Sequence, residues 1–79
     1  MYCIIHNLEG VTSAVLIKRV VKIDDLNYVI VDMDNDEYNV RLDTTDSEII
    51  NKFCNFNLDR CHLFQRKDGS YNGFEYREG

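Results

Sequence analysis

Between Tyr28 and Asp43 two successive runs place an apolar residue at every second position, 29, 31 and 33 and then 38, 40 and 42, and this doubled period most narrows what the chain can fold into. A half-buried strand repeats with period two, so two such runs joined by a short turn read as an antiparallel hairpin. With Asn35-Asp36 as a two-residue turn, Met33 faces Tyr38, Val31 faces Val40 and Val29 faces Leu42. All six are apolar and share one face. The other face pairs Asp34 with Glu37, Asp32 with Asn39 and Ile30 with Arg41, and is polar and acidic. Asn-Asp is a weaker turn signal than Asn-Gly, because only glycine takes positive φ without cost.

A second hairpin closes the chain. Lys67-Asp68-Gly69-Ser70 carries Asp-Gly, which suits a type I′ turn. Pairing outward from it sets Leu63 against Phe74 and Cys61 against Tyr76 on a buried face. The opposite face pairs Arg66 with Tyr71, Phe64 with Gly73 and His62 with Glu75, with Phe64 shielding the strand glycine. Between the hairpins, residues 46–55 read as a helix of about three turns. Thr45 and Glu48 fit a capping box, Asp46 and Glu48 suit the positive amino end, and Glu48 and Lys52 are an i,i+4 pair. Ile49, Ile50, Phe53 and Cys54 form one apolar stripe.

Upstream, Tyr2 to Asn7 reads as a short strand. Thr12 to Ile23 is rich in β-branched residues and reads as another, although Ala14, Ile17 and Val21 also fit a helical face. Asp24 to Asn27 is then a turn. The expected order is β-β-β-β-α-β-β. It describes a single small α+β domain over residues 1–79, built on a mostly antiparallel sheet of about five or six strands. The alternative is a small SH3/OB-like β-barrel with one helix.

At 79 residues the core is thin, and self-association is a common remedy. Cys3, Cys54 and Cys61 are an odd number without the spacing of a disulfide framework. The start, Met-Tyr-Cys-Ile-Ile-His, lacks a basic region followed by a long apolar one, and no apolar run approaches the roughly 20 residues of a membrane span. These features lead to the expectation of a cytoplasmic chain with free thiols and no membrane.

Little in the sequence carries chemistry. Asp32-Met33-Asp34-Asn35-Asp36 resembles a calcium loop, but the sixth position holds Glu37 and the twelfth Asp43, where an EF-hand needs glycine and glutamate. Cys3, His6, Cys54, Cys61 and His62 include no Cys-x-x-Cys pair, and Cys3 and His6, three apart on a strand, point to opposite faces. No phosphate loop or nucleophile motif is present. The expectation is a protein that is not an enzyme, with no metal and no cofactor.

Charge points to surfaces instead. Between Asp24 and Glu48 nine carboxylates stand against Arg41 alone, a local net charge of −8 in a chain of −5. A field of one sign steers encounters with oppositely charged surfaces. The first expectation is therefore a small acidic binding protein that occupies a basic, nucleic-acid-binding surface of a partner protein. In size and charge it is like the inhibitors carried by phages and mobile elements. Asp24, Asp25, Asp32, Asp34, Asp36, Glu37 and Asp43 would make the contact. The second is a nucleic-acid-binding module using His62, Phe64, Arg66, Lys67 and Tyr71, since aromatics beside bases suit single strands. The chain's overall acidity weighs against direct nucleic-acid binding. The third is a structural subunit that acts by self-association.

Overall fold

A computed structural model describes residues 1–55 and 60–77, with backbone alone for residues 74–77. The strands are β1 (Tyr2–His6), β2 (Thr12–Lys22), β3 (Asn27–Asp32), β4 (Glu37–Arg41), β5 (Arg60–Gln65) and β6 (Tyr71–Arg77), with helix α1 (Ser47–Cys54) between β4 and β5. The element order is the one read from the sequence, and Thr12 to Lys22 is a strand, as its β-branched residues favour. The sheet is not open. Its strands close into a barrel in the order β1-β2-β3-β4-β6-β5, so the barrel alternative fits and the antiparallel sheet is only partly met. Four pairings are antiparallel, whereas β1–β5 and β4–β6 are parallel.

Inside the barrel lie Cys3, Ile5, Ile17, Tyr28, Ile30, Val40, Leu42, Cys61 and Leu63, with Phe53 of α1 packed against them. Phe53 meets Tyr28 edge-on at a ring separation of 5.6 Å, so the helix stoppers one end. Its amino cap is Asp46, whose carboxylate accepts the Glu48 N–H at 3.0 Å, while Thr44 rather than Thr45 braces the approach. The N-cap is thus one residue later than expected, Asp46 in place of Thr45 and without the reciprocal bond of a capping box, and the helix is eight residues long where 46–55 was expected. The Glu48–Lys52 ion pair forms at 3.6 Å.

The register of the β3–β4 hairpin differs from the sequence reading. Tyr28 pairs Val40, Ile30 pairs Tyr38 and Asn27 pairs Arg41. On β4 the inward residues are the expected Val40 and Leu42, with Tyr38 half-buried. On β3 the faces are exchanged: Tyr28, Ile30 and Asp32 point inward, Val29 is half-buried and Met33 is 59% exposed. Val31 is buried, but outside the core cluster. The cause is the turn. Asp32 N–H bonds Asp36 O, Asn35 N–H bonds Asp32 O, and only Asn35 has positive φ (65°). This is a three-residue loop, a type I turn closed by a left-handed residue, so the pairing slips by an odd number and β3 turns over.

The β5–β6 turn has the same form. Gly69 N–H bonds Arg66 O, Arg66 N–H bonds Ser70 O, and Gly69 has φ of 90°. It is not the expected two-residue type I′ turn. Gln65 therefore faces Tyr71 and Phe64 faces Asn72, not Arg66 with Tyr71 or Phe64 with Gly73. A bulge between His62 and Phe64 then restores the expected pairings of His62 with Glu75 and Cys61 with Tyr76. Gly73 is not shielded by Phe64. It faces the core, where a Cβ would lie 3.1 Å from both Leu42 and Leu63. The expected burial of Phe74 and Tyr76 concerns side chains outside the described ones.

Candidate functional site

Strands β1, β3 and β5 run one way, so the turns after them leave one end of the barrel, and the β2–β3 turn and α1 occupy the other. This divides the acidic stretch. Asp24 and Asp25 are at the helix end, whereas Asp34, Asp36 and Glu37 are at the turn end. The seven expected contact residues do not form one continuous face.

Several of them are committed to the fold. Asp24 takes the N–H groups of Leu26 and Asn27 and the Asn27 amide, and these bonds, the amide first, hold its carboxyl below the usual range. Asp43 lies between two arginines, bonded to Arg41 Nε at 2.8 Å and to Arg66 Nη2. Asp32 is only 3% exposed. Its Oδ1 accepts the N–H groups of Asp34 (2.8 Å) and Asp36 (3.0 Å), and its Oδ2 accepts the Tyr38 hydroxyl (2.9 Å). Burial pushes the Asp32 carboxyl up, but the Asp36 amide, the Tyr38 hydroxyl and the Asp34 amide outweigh it and leave it lowered. Burial and the bond to Asp32 push the Tyr38 hydroxyl up to about 12. A carboxylate with these partners is a turn fastener and cannot reach a partner protein. Asp34, Asp36 and Glu37 are exposed around it, and Lys18 Nζ adds a 2.8 Å bond to Asn35 Oδ1. Asp25, also exposed, has an ion pair at 3.7 Å to Lys22.

The aromatic and basic set is divided too. Tyr71 packs against the core beside Tyr38, Arg66 is held by Asp43, and Lys67 is exposed in its turn. His62 and Phe64 remain on the outer face, joined there by His6 from β1, which the expected nucleic-acid set did not include. The in-register rows Leu16–Tyr2–Arg60, Ala14–Ile4–His62 and Thr12–His6–Phe64 cover the outside of β2, β1 and β5. None of these nine residues is acidic, in a chain of 14 carboxylates. Tyr2 and Leu16 are exposed and Phe64 is 37% exposed. A shallow groove of about 250 Å³ lies elsewhere, on the outside of β3 and β4, where Asn27, Val29, Asn39 and Arg41 meet Arg66 and Ser70. The flipped β3 register brings these amides and arginines together, which the expected register did not.

The three thiols are free: Cys3 and Cys61 are buried side by side and Cys54 is half-buried. The hydrogen bond to Cys61, with burial, pushes the Cys3 thiol far above its usual range. Among the described residues no three His, Cys, Asp or Glu side chains gather as a metal centre would, and no helix is long and apolar enough to cross a membrane. No protein-family model, no curated protein and no solved structure matches the chain.

Proposed function

We propose that this chain is a non-enzymatic binding protein that docks the acidic turn between β3 and β4 onto a basic surface of a partner protein, of the kind that otherwise holds nucleic acid. The observation that carries this reading is the construction of the turn. Asp34, Asp36 and Glu37 project from a backbone fixed by the buried Asp32 carboxylate, so three charges within four residues are held with little conformational freedom left to lose on binding. The contact set is smaller than the acidic stretch, because Asp24, Asp32 and Asp43 have structural partners. Asp25, at the opposite end, is not part of it. Free thiols suit a reducing, cytoplasmic setting for this activity.

A second reading, a nucleic-acid-binding module, is favoured by the acid-free outer face that carries Tyr2, His6, His62, Phe64 and Arg60. One experiment separates the two. The tagged protein is incubated with cell extract at low and high salt, and in parallel with single-stranded oligonucleotides. The variant with Asp34→Lys, Asp36→Lys and Glu37→Lys keeps Asp32 and hence the turn. It should lose a partner that wild type captures at low salt, while Arg66→Ala with Lys67→Ala retains it. Capture should weaken with salt, since exposed charges are screened beyond a Debye length of about 8 Å at physiological ionic strength. Oligonucleotide binding that survives the triple reversal and disappears in Phe64→Ala would instead establish the second reading.

A further inference from the structure

The pairing of β1 with β5 brings together two histidines that lie 56 positions apart in the chain. His6 Nε2 and His62 Nδ1 are 2.8 Å from each other. The ring centroids are 5.1 Å apart with planes inclined by only 14°. With nitrogens so much closer than centroids, the rings meet edge to edge, nitrogen facing nitrogen. Phe64 lies flat on His6 at 4.5 Å and 8°, which holds the imidazole upright on the strand. Both histidines are half-buried. Each sits on a strand paired on both sides within a closed barrel, so the backbone beneath them is rigid.

In the neutral pair one nitrogen donates its hydrogen to the other. When each ring instead carries its proton on the outer nitrogen, His6 Nδ1 and His62 Nε2, two lone pairs point into one gap. Imidazole nitrogens bind zinc at about 2.0–2.1 Å, and two such bonds at a tetrahedral angle set the nitrogens roughly 3.3 Å apart. The nitrogens need to part by about half an ångström to meet that spacing, and each ring to turn so that its lone pair swings off the N···N line toward the metal. Neutral imidazole suits zinc, copper and nickel, whereas magnesium and calcium want oxygen donors. We propose that His6 and His62 form a two-point chelate for a borderline divalent transition metal, with solvent completing its coordination. The metal replaces the shared proton and ties β1 to β5 across the parallel seam that closes the barrel. No conventional ligand spacing marks this site, because its two donors meet only through that seam.

The test uses the whole chain and Ni²⁺, which avoids redox reactions of the thiols, with Mg²⁺ as the oxygen-seeking control. Calorimetry should show one Ni²⁺ per chain and none of this binding for Mg²⁺. His6→Gln and His62→Gln should each weaken binding by more than about a hundredfold, beyond the roughly 10–100-fold that a supporting residue of a metal site costs. Cys54→Ser should leave it unchanged. Paramagnetic broadening in wild type should centre on the His6, His62 and Phe64 ring signals, a readout that does not depend on how the variants fold. Binding that survives either histidine substitution, broadening centred on the amino terminus or Cys54, or no binding at millimolar Ni²⁺ would overturn the proposal.

Discussion

The β3–β4 and β5–β6 hairpins share one turn geometry and differ in the ladders beyond it. Each closes with a type I turn and a left-handed residue, Asn35 in one and Gly69 in the other. In the β5–β6 hairpin a bulge beside Gly73 cancels the slip, and His62 still faces Glu75. The β3–β4 ladder continues without correction to Asn27 and Arg41, so β3 stays turned over. Register is therefore a property of the whole ladder. The turn sets it, and a later bulge can reset it. The two turns also differ in their fastening. Asp32 anchors its turn from inside the protein, whereas Asp68 accepts the Ser70 N–H and hydroxyl from an exposed position.

That contrast can be broken most forcefully at the fasteners. Asp32→Ala leaves two turn amides and the Tyr38 hydroxyl without their acceptor, and should lower the melting temperature far more than Asp68→Ala. Similar shifts for the two variants would mean that the buried carboxylate does not set the β3–β4 register. A smaller effect should come from the bulge. Gly73→Val drives side-chain carbons into Leu42 and Leu63 and should cost about 1–3 kcal/mol in denaturant unfolding. An unchanged midpoint would show that the position is roomier than its 3.1 Å neighbours imply.

The smallest effect is in the pH profile. The lowered Asp32 carboxyl contributes stability that is present above its unfolded value of about 3.9 and is lost as pH falls. The raised Tyr38 hydroxyl works in the opposite sense. Its contribution is complete below the unfolded value of about 10 and is lost as pH rises toward about 12. Tyr38→Phe should flatten the alkaline limb, as followed by circular dichroism. A limb as steep as in wild type would place the responsible group elsewhere.

Element order and type are legible because they rest on local pattern: β-branched residues in β2, the Ile50–Phe53–Cys54 stripe in α1, and turns at Asp24 and Gly69. The face of β3 is not legible, since Tyr28, Val29, Ile30 and Val31 are apolar on both sides and either register buries something. One further signal lies in the turns. Asn7 and Asp32 each accept, through a side-chain oxygen, the N–H groups two and four residues on, and each has a left-handed residue three positions later, Gly10 or Asn35. An Asx residue three before Gly or Asn marks such a loop. The acidic surface misleads for the same reason, because a carboxylate that fastens a turn looks in sequence like one left for a partner. The histidine pair is not legible at all, since β1 and β5 meet only by barrel closure.

That closure also bears on how the chain reaches its fold. Residues 2–6 must wait for residues 60–64, so their pairing belongs to the slow class of contacts that span most of a polypeptide. During synthesis β1 and β2 emerge before the other strands described and can form their hairpin, but the other edge of β1 has no partner until β5 has left the ribosome. An unpaired edge bearing Tyr2 and Ile4 is a template for association between nascent chains. The β1–β5 seam, with the longest wait between its two strands, is thus the one whose delay most exposes this protein to misassembly.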